Sequence, residues 1–347
     1  MTISSDQFVF YNRETLQRFY GTRENEVRIG EKLLTIPEDK GLDGLKDLKE
    51  KGVKYVIFGV PESIGPLANL GQSGAQNGWD AFLSVFPGMQ DNRHLDGSKI
   101  ACIGHVNLRR LQAETGRMHK SHSDTLPRLR EICSQIDELV LPVVNAVFEH
   151  EMVPILIGGG HNNAYPLLKG AANVLAPGKG INCINCDPHA DYKPLEGRHS
   201  GNGFSYAREE GFLKRYAITG LHRNYNSENM LERMHADPDI YFDFLEDTED
   251  RNSAIKEAID FVSQEKHPVG VELDMDSIAF MPVSAFTPAG ISVDQARHYI
   301  RAATRALDPV YLHLPEAAPA EMQRDTKIAG KALAFLVADF IHSKENQ

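Results

Sequence analysis

Seven short apolar runs recur along the chain, and segments with helical periodicity lie between them. The runs cover residues 53–60, 99–106, 152–160, 180–191, 215–222, 267–276 and 309–317. They lack strict alternation of polar and apolar residues, which is typical of strands covered on both faces in a parallel sheet. Helical patterns cover residues 126–150, 164–175, 255–264, 293–307 and 329–343. The alternation predicts an α/β protein with three α/β/α layers around a mostly parallel, doubly wound sheet.

The chain length allows one large domain or two smaller ones, since 41% of the 347 residues are hydrophobic. No repeat, low-complexity segment or Ser/Gly-rich linker marks a boundary, so we expect a single domain over residues 51–347. Residues 1–50 are charged and irregular, apart from helical patches such as 43–51. We predict that they form an N-terminal extension packed on the main domain.

The net charge of the chain indicates which classes of binding partner to expect. Thirty-seven Lys and Arg against 48 Asp and Glu give a net charge of -11, which disfavours nucleic acid and anionic lipid. No apolar run reaches the roughly 18 residues of a membrane span, and the first residues lack the features of a signal peptide. We therefore expect a cytoplasmic protein, without nucleic acid or membrane partners, that binds a small molecule.

The four cysteines are predicted to be buried thiols rather than a disulfide framework. Cys183 and Cys186 lie in one apolar run, where their side chains would face opposite sides of a strand. That geometry disfavours both a bridge between them and a shared zinc ion.

Six potential metal ligands follow three of the apolar runs: His161, Asp187, His189, Asp191, Asp274 and Asp276. In an open α/β sheet, ligands bind at the carboxyl ends of the strands, and alternate residues of an extended segment point to the same side. Four carboxylates in one cleft raise one another's pKa unless cations neutralise them. Each motif alone is more often a helix cap or a solvated loop, but together they predict a metal site. Imidazole with an excess of carboxylate oxygen favours Mn²⁺ over Fe²⁺, Co²⁺ or Zn²⁺.

These motifs resemble those of the ureohydrolase superfamily, which includes arginases, agmatinases and formimidoylglutamases. Its members carry a GG(G/D)H, a D-x-H-x-D and a D-x-D segment in that order. This chain reads GGGH at 158–161, DPHAD at 187–191 and DMD at 274–276. The resemblance runs from about residue 55 to the C-terminus and implies an arginase-like fold.

The resemblance also implies two Mn²⁺ ions per chain, with a role for each ligand. The implied pairs are His161 and Asp191 on one ion, His189 and Asp276 on the other, and Asp187 and Asp274 as bridges. A hydroxide between the ions would be the nucleophile, with Asp191 moving its proton. Glu316, in YLHLPEAAP, matches the acidic residue that holds the substrate's amidine group. Because the family commonly forms trimers or hexamers, we expect a homo-oligomer.

The segment after DPHAD favours the formimidoylglutamase subgroup. Arginases have S-G-N-x-H-G there, whereas HSGNGFSYA places Phe204 at the position of that histidine. Formimidoylglutamases have S-G-T-P-F, which Ser200, Gly201 and Phe204 resemble, although Asn202 departs from it. Their early N-x-G-R-x-G-A-x-x-G loop is similar to residues 69–78, with glutamine in place of the arginine.

We therefore predict hydrolysis of a carbon–nitrogen bond in a linear amidine. N-formimidoyl-L-glutamate, which would give L-glutamate and formamide, is the favoured substrate. Arg198 is predicted either to clamp a substrate carboxylate or to be exposed to solvent. The expected substrate contacts are Arg198, His199, Ser200, Asn202, Phe204 and Glu316, and the expected catalytic residues are Asp191 and Glu316.

Three alternatives remain open. The first alternative is an enzyme that hydrolyses a guanidino compound, such as agmatine, guanidinobutyrate or arginine, and releases urea. Single-zinc deacetylases of related fold also use D-x-H, but they do not need the second aspartate of either motif. A non-catalytic binding module is the third, and the intact set of six ligands argues against it.

Overall fold

The computed structural model of the chain describes residues 6–118, 122–247, 249–320 and 322–347. Nine strands form one sheet. They are β1 (Phe8–Phe10), β2 (Tyr55–Gly59), β3 (Ile100–Val106), β4 (Val153–Ile157), β5 (Ile181–Cys186), β6 (Leu213–Leu221), β7 (Ile240–Phe244), β8 (Val269–Leu273) and β9 (Tyr311–Leu314). The order across the sheet is β1-β3-β2-β4-β9-β8-β5-β6-β7. Only β1 is antiparallel to its neighbour.

Helices fill most of the connections between the strands. They are α1 (Arg13–Gln17), α2 (Ile29–Lys32), α3 (Gly44–Glu50), α4 (Ile64–Ala68), α5 (Gly78–Leu83), α6 (Arg109–Thr115), α7 (Thr125–Glu149), α8 (Ala164–Leu175), α9 (Gly203–Glu209), α10 (Glu228–Ala236), α11 (Arg251–Val262), α12 (Val293–Leu307) and α13 (Gln323–Glu345). All five predicted helices are present as α7, α8, α11, α12 and α13. No helix among the described residues combines the length and apolar character that a membrane crossing requires.

Hydrophobic side chains on the two faces of the sheet build separate core clusters. Along β2, Val56 and Phe58 join one cluster while Tyr55 and Ile57 join the other, because alternate side chains of a strand face opposite sides. Helices α7, α8 and α9 cover the first face, and α5, α11, α12 and α13 cover the second. The predicted three-layer fold is confirmed.

Local sequence signals account for the longest helices. Helix α7 buries Ile132, Ile136, Val140 and Val147 along one side, at the spacing of an amphipathic helix. Helix α12 begins at a capping box, in which the Ser292 hydroxyl accepts from the Gln295 backbone N–H and the Gln295 side chain accepts from that of Ser292. The buried side of α7 and the first residue of α12 are therefore those that the sequence pattern indicates.

Residues 6–50 contribute a strand that the sequence analysis did not predict. Strand β1 pairs with β3, with Phe8 opposite Val106 and Phe10 opposite Gly104. A Cβ atom at Gly104 would lie 1.9 Å from the Val9 carbonyl oxygen, so only glycine permits this approach. Ile29 is buried in the core of the second face. The division into an extension and a main domain at residue 50 stays a prediction.

A candidate metal centre at the centre of the sheet

Strands β4, β9, β8 and β5 are neighbours in the middle of the sheet. The predicted metal ligands follow β4, β8 and β5, and Glu316 follows β9. His161 begins a short turn of 3₁₀ helix directly after the glycines that follow β4. Gly158 and Gly159 adopt positive φ values of 81° and 72°. A Cβ atom at Gly159 would lie 2.5 Å from the Val60 carbonyl oxygen, so the tight turn depends on glycine. The turn aims the His161 ring along the edge of the sheet toward β8 and β5.

Three carboxylates surround one ring nitrogen of His161. Its Nδ1 atom lies 3.1 Å from Oδ2 of Asp187, 2.9 Å from Oδ2 of Asp191 and 3.1 Å from Oδ2 of Asp274. His161 and Asp187 are fully buried, whereas the Asp191 side chain is 12% exposed. A single N–H can satisfy only one of three such acceptors, so the arrangement fits a cation better than a hydrogen bond.

A second group of ligands lies beside the first. Nδ1 of His189 lies 3.2 Å from Oδ2 of Asp276 and 3.7 Å from Oδ1 of Asp187. The two oxygens of Asp187 thus face the two groups, as a bridging carboxylate requires. Asp274 belongs to the first group, and its Oδ1 accepts a hydrogen bond of 2.9 Å from the Asp276 backbone N–H. The structure therefore brings all six predicted ligands together in two sets that share Asp187.

The electrostatics of the cluster are those of a site built for cations. Burial, together with Asp191 and Asp274, raises the pKa of Asp187 to about 7. Burial and Asp276 raise the pKa of Asp274 to about 7 as well. Burial alone would lower the pKa of His189, but Asp276 raises it to about 10. Two divalent cations would offset the mutual repulsion of these carboxylates, which adds to the effect of burial.

Glu316 packs against the turn that carries His161. Its backbone N–H donates to the Gly159 carbonyl oxygen at 2.9 Å, and its Oε1 accepts from the His161 backbone N–H at 3.0 Å. Burial and the Asp274 carboxylate raise the pKa of Glu316 well above its usual range. Glu316 and Asp191 both adopt left-handed backbone conformations, with φ values of 64° and 47°. Such conformations are uncommon outside glycine and cluster at functional sites.

The structure shows that the predicted alternative of a solvent-exposed Arg198 is wrong, because the side chain is buried. Its guanidinium is buried and donates to Asp137 at 2.8 Å, to Asn202 at 2.7 Å and to the Asn162 carbonyl oxygen at 2.9 Å. The same group lies over the ring of Tyr165, 4.7 Å from its centroid. These contacts anchor the loop after Asp191, and a contact of Arg198 with a substrate carboxylate stays a prediction.

Three further predicted contacts also point into the protein. The His199 ring accepts from the Gly201 backbone N–H at 3.1 Å, and the side-chain Oδ1 of Asn202 accepts from Arg198. Phe204 is fully buried, stacks on Tyr216 at 4.3 Å and lies edge-on to His161 at 5.2 Å. These side chains hold the loop and the His161 ring in place, and their role as substrate contacts stays a prediction.

Ser200 lies closer to the surface, in contact with a second loop. It is 6% exposed, and its hydroxyl accepts from the Asn69 amide at 3.3 Å. The same Asn69 side chain accepts from the Lys193 ammonium at 2.6 Å. Lys193 is exposed and lies two residues after Asp191, on the loop that leaves the cluster. The sequence analysis missed Lys193, although its position beside DPHAD was a signal.

Sequence reasoning also missed two groups that contact the ligands or their turn, the buried Glu62 and the exposed Tyr225. Glu62 accepts from the Gly160 backbone N–H at 2.6 Å and from that of Gly65 at 2.8 Å, which ties the glycine turn to α4. Tyr225, 42% exposed, stacks on His189 with 5.1 Å between ring centroids. Neither residue has a local sequence signal, because each acts on a ligand from a different strand.

Comparisons of the sequence with known proteins agree with this geometry. Residues 53–339 match the sequence model of the arginase family. Formimidoylglutamase from Geobacillus thermodenitrificans is 28% identical over 204 residues, which cover 56% of this chain and 62% of that protein. Formimidoylglutamase from Macrococcus caseolyticus is 30% identical over 189 residues, which cover 53% and 59%. The matched region thus spans about three fifths of the length of these curated relatives.

Solved structures share the fold over nearly the whole chain. Formiminoglutamase from Trypanosoma cruzi, crystallised with Mn²⁺, gives a TM-score of 0.69 at 20% identity and covers 91% of this chain and 99% of that one. Formimidoylglutamase from Bacillus subtilis gives a TM-score of 0.71 at 15% identity, with 92% and 93% covered. At these identities the likeness concerns the fold alone, and the family model carries the assignment. The chain belongs to the arginase family.

Proposed function

We propose that the protein is a two-manganese hydrolase that cleaves a carbon–nitrogen bond of a linear amidine. The observation that carries this proposal is the convergence of the His161 and His189 Nδ1 atoms on carboxylates that share Asp187. The relatives named formimidoylglutamase, and the Trypanosoma cruzi structure with Mn²⁺, support N-formimidoyl-L-glutamate as the substrate. The products would be L-glutamate and formamide.

The donor set fits a pair of Mn²⁺ ions, since it combines two imidazole nitrogens with carboxylate oxygens and contains no thiolate. The residues that would hold the ions are His161, Asp187, His189, Asp191, Asp274 and Asp276. When bound, the ions would supply the positive charge that generates a hydroxide nucleophile near neutral pH and offsets the charge of the transition state.

The chain's own groups would then hold the substrate and move the protons. Glu316 would accept hydrogen bonds from the amidinium N–H groups, which are charge-assisted and therefore strong. Asp191, the partly exposed carboxylate of the first group, would take the proton of the attacking water and deliver it to the departing nitrogen. The water oxygen bonds to the formimidoyl carbon, and the bond from that carbon to the glutamate nitrogen breaks.

Lys193 would provide the positive charge for a substrate carboxylate. With Arg198 engaged by Asp137, Lys193 is the exposed cation on the loop that follows Asp191. Its contact with Asn69 places it where this loop meets residues 69–78, the segment that resembles the family's early glycine-rich loop. An ammonium group at the rim of the site would select substrates with an acidic end.

A panel of amidine and guanidino substrates, tested with Mn²⁺ present, examines the proposal directly. Formamide, urea and ammonia are measured separately in each reaction. We expect formamide from N-formimidoyl-L-glutamate at a rate far above that of the Asp191→Asn variant. Turnover of this substrate no faster than in buffer would rule out the substrate choice.

A guanidino substrate is the second candidate, and Gln72 is the observation that favours it. This exposed glutamine occupies the place of the arginine in the formimidoylglutamase loop, so the chain lacks one cation of that subgroup. A hypothetical agmatinase from Burkholderia thailandensis shares the fold with a TM-score of 0.64 at 19% identity. Release of urea instead of formamide in the panel would favour this candidate.

A further inference from the structure

A buried acid lies behind His161, on the side of the ring away from the metal cluster. Glu272 of β8 is fully buried and precedes Asp274 by two residues, so the two side chains leave the same face of the strand. Its Oε2 lies 3.4 Å from Nε2 of His161, whose Nδ1 faces the three carboxylates of the first group. The His161 imidazole is therefore placed between the cluster and Glu272.

Two residues of the adjacent strand β9 hold the Glu272 carboxylate. The Tyr311 hydroxyl donates to Oε1 at 2.7 Å, and Nδ1 of His313 lies 2.5 Å from Oε2. Glu272 and His313 are paired in the register of β8 and β9, so the sheet itself sets this contact. Burial of a carboxylate destabilises the fold unless hydrogen-bonding groups satisfy it. A hydrophobic residue at this position in the sheet would destabilise the fold less.

Neither ring nitrogen of His161 has a hydrogen-bond partner among the described residues, and Nε2 is the one that faces Glu272. Among the residues that the structure describes, none hydrogen-bonds to Nε2 of His161, although the atom is fully buried. The nearby Oε2 of Glu272, at 3.4 Å, is slightly beyond ordinary hydrogen-bond length. In this position Nε2 faces Glu272, while Nδ1 faces the first group of carboxylates.

We propose that Glu272 is a positioning residue for the metal centre. By accepting the Nε2–H of His161, it fixes the tautomer that leaves Nδ1 free to bind an ion, and it holds the plane of the ring. Metal-binding histidines commonly donate their second ring N–H to a carboxylate in this way. Tyr311 and His313 in turn hold the carboxylate, which extends the centre across β4, β8 and β9. The inference rests on the proposed two-metal site.

His161, Glu272 and His313 also lie close enough to hold an ion of their own. Binding there would require His161 to give both of its nitrogens to metal ions, with loss of both ring protons inside a fully buried pocket. The geometry therefore favours Glu272 as a hydrogen-bond acceptor over Glu272 as a third metal ligand. Binding of three ions by the unmodified protein would overturn the inference.

Glu272→Gln tests the proposal, because it removes the charge and keeps the shape of the side chain. Mn²⁺ binding is measured by calorimetry, and electron paramagnetic resonance reports whether the bound ions are spin-coupled. We expect the unmodified protein to bind two ions per chain. In Glu272→Gln, the ion held by His161 should bind about 10- to 100-fold more weakly, while the ion held by His189 keeps its affinity. At limiting Mn²⁺, the coupled signal should give way to that of an isolated ion.

Asp339→Asn is the matched control. Asp339 is a buried carboxylate on α13 that binds Arg297 at 2.6 Å, outside the metal cluster. This variant should bind both ions as the unmodified protein does, whatever its stability. Tyr311→Phe, which removes one of the two groups that hold Glu272, should weaken the same single ion by a smaller factor and serves if Glu272→Gln fails to fold.

The outcomes separate this inference from the proposed function. If Glu272→Gln and Tyr311→Phe bind both ions as tightly as the unmodified protein does, the proposed role of Glu272 is overturned and the two-metal site remains. If both ions bind more weakly by the same factor in these variants, Glu272 has only a general structural role, and the inference is also overturned. Failure of the unmodified protein to bind two ions would remove the metal centre itself, and the inference with it.

Discussion

Nδ1 of His189 lies 3.2 Å from Oδ2 of Asp276, although the two residues follow different strands. The contact exists because β5 and β8 are hydrogen-bonded neighbours, with Cys186 opposite Leu273 at the ends of both strands. Each ligand motif then leaves its strand at the same edge of the sheet. The parallel topology therefore brings the three motifs together, and the following predictions depend on that assembly.

Asp191→Asn should reduce hydrolysis by at least about 100-fold, because it removes the group that we propose to move the proton. The variant should still fold, since the change removes a negative charge from a crowded cluster. The rate of formamide release at saturating substrate and Mn²⁺ is the measurement. The exposed Asp260→Asn on α11 is the control. Equal rates for Asp191→Asn and the unmodified protein would favour a non-catalytic module instead.

Lys193→Met should raise KM for N-formimidoyl-L-glutamate by about 10-fold or more, with little change in kcat. The reason is that the ammonium would bind a part of the substrate that does not react, so the interaction is equal in the ground and transition states. Steady-state kinetics of the variant and of Lys193→Arg provide the test. Arginine should restore most of the affinity, and Lys256→Met on α11 should change nothing. An unchanged KM in Lys193→Met would argue against this contact.

The stabilisation by Mn²⁺ should grow as the pH rises from 5.5 to 8. Asp187 and Asp274 have pKa values raised to about 7 in the folded protein without metal. A raised pKa of this kind stabilises the fold at low pH and loses that effect as the pH passes 7. Mn²⁺ replaces the lost protons, and a fixed concentration that is 100 times its Kd at pH 8 adds about 2.7 kcal/mol there, or roughly 4 °C in Tm. A Tm gain that is equal at pH 5.5 and pH 8 would contradict this account.

Asp137→Ala should lower the free energy of unfolding by about 3–5 kcal/mol, because it leaves the buried Arg198 guanidinium without its carboxylate. Replacing both residues, by Asp137→Leu with Arg198→Met, should recover most of the loss. Urea unfolding measures both variants. Asp247→Ala removes an exposed partner of Arg223 and should cost less than about 1 kcal/mol. Equal losses from Asp137→Ala and Asp247→Ala would mean that Arg198 is not held as described.

The convergence of the six candidate ligands was predictable because their pattern is local. Residues 187–191 carry their spacing in five consecutive positions, and the end of an apolar strand locates them in the fold. Seven of the nine strands follow from the same apolar runs. The missed strands lie at the two edges of the sheet, where β1 is three residues long and β7 is only partly buried. Their sequences lack the continuous apolar run that marks a central strand.

The supporting residues were not predictable from local patterns. Whether Arg198 is exposed or buried depends on Asp137 in α7 and on Tyr165 in α8, which lie far from it in the sequence. Glu272 shares the alternating pattern of Asp274, which was a usable signal, but its partner His161 comes from another strand. Sequence spacing indicates which residues share a face, and only the packing of the strands shows what that face meets.

The most direct test of the two-metal centre is anomalous diffraction from crystals of the protein grown with Mn²⁺. Two peaks should appear, one beside Nδ1 of His161 and the other beside Nδ1 of His189, with Asp187 in contact with both. The absence of any peak, or a single peak that leaves either histidine without an ion, would contradict the proposed centre and the hydrolysis that depends on it.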